Sequence, residues 1–298
     1  AGYLEMAANI HQNMLSGFQV RMAMRKKPLR LDAEKNVDQA ISCMIKFKVN
    51  ALLIHDPGSG QDLGLITKSN LMTLYYAGLP LETVLGEVLV APILTCFQDD
   101  TLETALSHLL GQGVKRIYVS DNQEDGIVGV LSYADIVGLV YRFCRQCEKS
   151  LTWRRKKSGL EEAVLVRDVM HQDVVSCKPG QSIAQALELL SEKLFSALLV
   201  QENGHSMPGV LSKTDLILAY RHNLPLETPL TEIAKFPALS CAREESLVQA
   251  LQRMILADVH RLFVHGPDPW DIQGVLSLTD AARARSGSCR ACSATRMQ

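Results

Sequence analysis

A hydroxyl followed three residues later by a carboxylate recurs through this chain in one setting. Gly129-Val130-Leu131-Ser132-Tyr133-Ala134-Asp135 returns as Gly209-Val210-Leu211-Ser212-Lys213-Thr214-Asp215 and as Gly274-Val275-Leu276-Ser277-Leu278-Thr279-Asp280. A variant, Gly64-Leu65-Ile66-Thr67-Lys68-Ser69-Asn70, opens the series. Each copy reads as a short apolar strand entering a helix, with the hydroxyl at the turn and the carboxylate on the first helical turn. Two kinds of chemistry fit. The pair can cap the helix. Alternatively, the free N–H groups and positive dipole end can hold a phosphate. The hydroxyl would then add a phosphate contact, and the Asp would accept bonds from two sugar hydroxyls. Recurrence after Gly and two apolar residues favours a binding site.

The spacing of the copies sets their arrangement. Ser132 lies 65 residues after Thr67, and Ser277 lies 65 after Ser212, while Thr67 to Ser212 and Ser132 to Ser277 are both 145. The same 145 links Leu79-Pro80-Leu81-Glu82-Thr83 to Leu224-Pro225-Leu226-Glu227-Thr228, Cys96 to Cys241 and Arg116 to Arg261. From Met24 to Met170 the offset is 146, so the intervening loops differ by one residue. The chain is a duplicated pair of repeats.

Elements that position the motif follow from hydrophobic periodicity. Val37, Ala40, Ile41, Met44 and Ile45 mark one face of a helix. The stripe returns as Leu102, Ala105, Leu106, Leu109 and Leu110, as Ile183, Ala186, Leu187, Leu190 and Leu194, and as Leu247, Ala250, Leu251, Met254 and Ile255. Asn36, Thr101, Ser182 and Ser246 stand before these stripes as caps. Strands follow at Ala51 to Ile54, Arg116 to Val119, Ala197 to Val200 and Arg261 to Val264, and then the motif strand and a second helix. Each repeat thus reads helix, strand, strand, helix, with a short extended lead-in such as Val174-Val175-Ser176-Cys177. A unit of about 60 residues buries little alone, so repeats are expected to pair. Residues 1–19 read as a helical lead with a stripe through Leu4, Ala7, Ile10, Met14 and Leu15.

Composition bounds the function. A 298-residue chain with 47% hydrophobic and 21% charged residues is globular with a sizeable core. Its net charge of −1 gives no global attraction to nucleic acid or an anionic membrane. No apolar run approaches the ~20 residues that span a bilayer, and no signal peptide is visible, so a cytoplasmic location is expected. The eight cysteines are not spaced as a small secreted disulfide framework.

The order of elements, the strand ending in Gly-apolar-apolar-Ser/Thr-x-x-Asp and the tandem pairing resemble CBS domains over roughly residues 20 to 285. The resemblance implies an α/β (α+β) fold of four CBS repeats, first with second and third with fourth, paired as two Bateman modules in a flat disc. Boundaries follow at 20–81, 82–143, 163–226 and 227–285 for the repeats, with 144–162 a linker and 286–298 a tail. It further implies adenosine ligands (AMP, ADP, ATP or S-adenosylmethionine) in clefts between paired repeats, and a regulatory role without catalysis. The ribose-holding Asp of the family matches Asp135, Asp215 and Asp280, with Asn70 in the first repeat, where a weak or empty cleft is expected. The phosphate-facing hydroxyl matches Thr67, Ser132, Ser212 and Ser277. Val114-Lys115-Arg116 and Val259-His260-Arg261 are similar to the basic segments of the AMP-activated protein kinase gamma subunit that face phosphate. That similarity favours AMP, ADP or ATP over S-adenosylmethionine.

Two further features stand apart from the family pattern. Cys144-Arg145-Gln146-Cys147 and Cys289-Arg290-Ala291-Cys292 are C-x-x-C pairs, also 145 apart. Cys144, Cys147, Cys289 and Cys292 could together hold one Zn or an iron–sulfur centre, act as dithiol switches, or be inherited by duplication without a role. Cys43, Cys96, Cys177 and Cys241 read as small buried residues. The basic stretch from Leu151 to Gly159 reads as a solvated linker. The leading function is therefore an adenine-nucleotide sensor that acts on an unidentified effector protein, with a homodimer as one option. The alternative is a metal- or redox-linked protein using the C-x-x-C pairs, with the repeats as regulatory or structural parts.

Overall fold

The computed structural model describes residues 17–121, 126–139, 164–192, 197–204 and 206–280. A two-residue strand, β1 (Arg25–Lys26), precedes the first repeat, which contains β2 (Arg30–Asp32), β3 (Ala51–His55) and β4 (Asp62–Thr67). The second repeat has β5 (Thr95–Phe97), β6 (Arg116–Ser120) and β7 (Ile127–Ser132). The third has β8 (Ser176–Cys177), β9 (Ala197–Val200) and β10 (Gly209–Ser212), and the fourth β11 (Ser240–Ala242), β12 (Arg261–His265) and β13 (Ile272–Ser277). In every repeat the first strand runs parallel to the second and the second antiparallel to the third. Parallel pairing needs a crossover, supplied here by the helices Val37–Lys46, Leu102–Gly111, Ile183–Glu192 and Leu247–Leu256.

These helices start where the sequence places their caps. Asn36, Thr101 and Ser246 accept from the backbone N–H three residues on, as does Ser182 from Gln185 at 3.4 Å. The first four positions of each stripe are fully or almost fully buried. The fifth departs from expectation: Leu110 and Ile255 are exposed, because each helix ends there and its last turn reaches past the core. Leu194 lies outside the described residues, as do residues 1–16, the basic linker stretch and all four C-x-x-C cysteines.

Repeats associate in two ways. Sheet faces join the first repeat to the second through Leu53, Tyr118 and Ile127, and the third to the fourth through Leu199, Phe263 and Val275. These are the two expected modules. Helical faces then join the modules, first repeat to third and second to fourth, in two larger apolar cores. In the first-to-third contact, helices Lys68–Tyr76 and Lys213–Arg221 meet N-terminus to N-terminus and C-terminus to C-terminus. Tyr75 stacks on Tyr220 with centroids 4.9 Å apart. Tyr75 donates to the Leu224 carbonyl and Tyr220 to that of Leu79, each at 2.6 Å. Tyr75 and Tyr220 are 145 residues apart, as are Leu79 and Leu224, so the contact is an internal two-fold.

Lead-in segments cross between the repeats of a pair. The segment before the first repeat packs on the second: Val20 lies in that core and β1 pairs with β7, Arg25 opposite Val130. The segment before the second repeat packs on the first, with Leu85 in its core and Val90 bridged to Leu65. His171 is bridged to Val275 and Lys235 to Val210 in the same manner. This crossing explains the motif glycine. A Cβ on Gly64 would lie 2.7 Å from the Val90 carbonyl oxygen, and one on Gly274 would lie 2.7 Å from that of His171. At Gly129 and Gly209 a Cβ would instead meet side chains, the Met24 sulfur at 2.6 Å and the Phe236 ring at 2.4 Å. Gly274→Ala should therefore cost about 1–3 kcal/mol through overpacking against backbone. Gly138→Ala, in a helix with open space at its Cβ, should be neutral or stabilising by up to ~1 kcal/mol. Urea denaturation of the two variants checks the contrast, and equal effects would contradict it.

Candidate nucleotide site

The motif hydroxyl and the side chain three residues on, an acid in three repeats and Asn70 in the first, form a cap in all four. Oδ2 of Asp135, Asp215 and Asp280 accepts from the backbone N–H of Ser132, Ser212 and Ser277 at 2.8–2.9 Å, and from the hydroxyl at 2.6 Å. The serine proton is therefore directed at the carboxylate rather than toward a phosphate position. Oδ1 is left over, and in three repeats it meets a basic side chain from the crossing lead-in. Arg25 Nε lies 3.0 Å from Asp135, Lys235 Nζ 2.7 Å from Asp215 and His171 Nε2 2.6 Å from Asp280. In the first repeat, Asn70 Oδ1 takes both cap bonds, from Thr67 N at 3.0 Å and Thr67 Oγ1 at 2.6 Å. Its remaining polar group is an amide NH₂, a donor that cannot accept from a sugar hydroxyl. Where the other repeats carry a base over the motif, this one carries Val90.

Beside these caps stands a concentration of cations. Arg116 faces Ser132 across β6 and β7, and Arg261 faces Ser277 across β12 and β13. In the other two repeats the same register places Ala51 and Ala197 opposite Thr67 and Ser212. Those repeats instead carry a lysine just after the hydroxyl. Lys68 donates to Thr214 Oγ1 at 2.7 Å and Lys213 to Ser69 Oγ at 2.6 Å, so each lysine reaches across the module junction to the other's helix start. Arg261 reaches across its own module to the Ala197 carbonyl, 3.0 Å away.

The protonation behaviour of these groups shows that they crowd one another. Burial pushes Lys68 down to about 8, and Arg116 and Lys235 add to the effect while Asp215 opposes it. Lys115 keeps solvent-exposed surface yet is ringed by protein; desolvation, then Lys213, Arg261 and Arg116, bring it to about 8 as well. Lys213 is lowered by burial and by Arg261. Arg116 is lowered chiefly by burial, and its side chain bonds that of Tyr118. Burial brings Arg261 to about 10, against the pull of Asp280. His260 is lowered by burial and by Arg116, Lys68 and Arg261, with Asp258 opposing. Six basic groups from all four repeats thus share one field at the junction of the modules.

Lys115, Arg116, His260 and Arg261 are brought together, and Asp135, Asp215 and Asp280 lie beside them. Five further residues were not singled out: Lys68, Lys213, Arg25, His171 and Lys235. The first two were visible in principle, since they recur at 145 residues inside the motif itself. The other three lie far from their aspartates in sequence, and only the crossing segments bring them near. Cys96, Cys177 and Cys241 are buried, and desolvation raises them to about 12, 11 and 12, which leaves them unreactive thiols. Cys43 departs from expectation in being only half-buried, at the rim of its helix. Among the described residues no group of three or more His, Cys, Asp or Glu side chains could hold a metal ion, and no helix is long and apolar enough to cross a membrane.

The field makes a prediction. A lysine held near 8 when folded and 10.5 when unfolded loses its proton earlier in the fold, so the unfolded chain binds more protons between those values. Stability at low salt should therefore rise with pH from about 8 to 10.5, with the charged cluster opposing folding below that window. Lys68→Met should flatten the rise, and pyrophosphate at neutral pH should raise the denaturation midpoint. A pH-independent midpoint that ignores pyrophosphate would refute the crowding.

Comparison with known proteins agrees with this layout. The CBS domain family matches residues 85–142 and 166–222. The human 5'-AMP-activated protein kinase subunit gamma-3 is 24% identical over 205 residues, which is 65% of this chain and 40% of that subunit. The chain thus spans about two fifths of the length of such relatives. Protein MJ1225 of Methanocaldococcus jannaschii is 19% identical over 202 residues, 66% of this chain and 68% of its own length. Its crystal structure superposes with a TM-score of 0.74 at 15% identity, covering 89% of this chain and 99% of that one. An uncharacterized conserved protein from Pyrococcus horikoshii gives 0.56 at 17% identity, covering 90% and 100%. The chain thus carries two matched CBS domains, at residues 85–142 and 166–222, inside a fourfold recurrence of one architecture.

Proposed function

We propose that the chain is a regulatory sensor of adenine nucleotides that acts on a separate effector protein and carries no catalysis of its own. The observation that supports this best is the junction cluster, Lys68, Lys115, Arg116, Lys213, His260 and Arg261, set beside three capped carboxylates. Partly desolvated basic groups, five of them Lys or Arg, in a chain of net charge −1 suit a ligand that brings several negative charges. The carboxylates suit a sugar diol. A nucleotide has both, which selects AMP, ADP or ATP over S-adenosylmethionine, whose sulfonium would add to the positive field.

Because the cluster draws on both modules, a phosphate bound there would bias how they sit against each other. Differential affinity for two module arrangements is what an effector would sense. The similarity to a kinase regulatory subunit supports a regulatory role and leaves the effector open. The metal-linked alternative rests on the C-x-x-C spacing, whose four cysteines lie outside the described residues.

The third-and-fourth-repeat module, with Asp215 and Asp280, should bind better than the first, whose Asn70 presents a donor. Asp280→Ala removes a charged acceptor contributing roughly 1.5–3 kcal/mol, which is about ten- to a hundredfold in affinity. Arg261→Ala should weaken AMP while leaving adenosine nearly unaffected. Calorimetric titration with both ligands checks the division. Equal losses would refute the phosphate role of Arg261, and indifference to every adenine nucleotide would refute the sensor.

A further inference from the structure

The three basic residues on the crossing lead-ins sit where a sugar would bind. Each aspartate has about four lone-pair positions. Oδ2 takes the backbone and hydroxyl donors of its serine and is full. Oδ1 takes the base, leaving one position, whereas a ribose diol brings two donors. The exposures of the partners are unequal: the side chains of Arg25, His171 and Lys235 are 56%, 58% and 66% exposed, while those of Asp135, Asp280 and Asp215 are 11%, 6% and 4%. A nearly buried carboxylate is therefore satisfied by a basic side chain that can swing into solvent.

We propose that Arg25, His171 and Lys235 are internal latches, which occupy the sugar-binding oxygen of each cleft and must leave before a ribose diol can bind. The proposal rests on the nucleotide reading above and adds its regulation. The repeats supply a control, because the one lacking the acid also lacks the base: Asn70 is paired in position with Val90. A base retained for general surface charge would have no reason to disappear with the carboxylate. Retained to satisfy that carboxylate, it is dispensable once the acid becomes an amide whose oxygen is already used. Latching also sets the threshold for occupancy, since ligand binding is an exchange of one charged partner for two hydroxyls. With its basic partner more than half exposed, such a pair holds more weakly than a fully buried one, so the latch can be displaced by ligand without a large rearrangement.

The test titrates wild type, Arg25→Ala and Lys235→Ala with adenosine and with 2',3'-dideoxyadenosine. Without the latch, adenosine should bind roughly three- to tenfold more tightly, while the dideoxy compound, which makes no call on Oδ1, should not change. Lys235→Gln keeps a neutral donor and should give part of the gain, which covers the case in which an alanine variant misfolds. In the first repeat, Asn70→Asp should add a binding event, and Asn70→Asp with Val90→Lys should weaken it again. Unchanged or weaker adenosine binding, or an equal gain for the dideoxy compound, would overturn the latch. AMP titrated into wild type separates the two levels. AMP binding with no adenosine gain sinks the latch alone, and no binding of any of these ligands to any variant sinks both.

Discussion

The close crossing of two backbones at the motif glycine is the constraint on which the rest of the molecule depends. At Gly64, Gly129, Gly209 and Gly274 the lead-in chain passes within a Cβ's reach of the strand that ends in the cap. At Gly64 and Gly274 it is backbone that leaves no room for a side chain. The crossing commits each repeat to its neighbour, since the segment that closes one core arrives from beyond the other. It also sets a lead-in residue directly above the first turn of the motif helix. Pairing of repeats, completion of their cores and the approach of a base to the capped acid are all consequences of that one approach.

Capping and binding, which compete as readings of Ser/Thr-x-x-Asp, are compatible because a carboxylate has two oxygens. One closes the helix N-terminus, a requirement met in all four repeats. The other is spare, and its surroundings differ from repeat to repeat. An asparagine preserves the cap and loses the spare acceptor. Stability therefore tolerates Asn70, and only binding distinguishes it from the three aspartates.

Duplication accounts for the distribution of charge. Strand-entry cations stand in the second and fourth repeats, and lysines after the hydroxyl in the first and third. Packing first on third and second on fourth brings both sets to one junction. Burial and mutual repulsion lower their proton affinity, so the folded chain carries an unfavourable electrostatic load that an anion relieves. The side-by-side helices at Tyr75 and Tyr220 and the crossed Lys68 and Lys213 bonds hold that junction in register.

The sequence by itself determined the repeat, its helices and strands and their caps, because these rest on local periodicity and on side chains within four residues of each other. It also determined Asp135, Asp215 and Asp280 and the pairs Lys115-Arg116 and His260-Arg261 as candidates, since recurrence at 145 residues marks them. Tertiary structure decided what surrounds them. Arg25 meets Asp135 across 110 residues and His171 meets Asp280 across 109, and no local pattern encodes such a meeting. Nor could spacing say that Lys68 and Lys213 would cross at a module junction, because which helical faces pack together depends on the shape of two assembled cores. Electrostatic contacts act through space, and their partners emerge only when the chain has closed on itself.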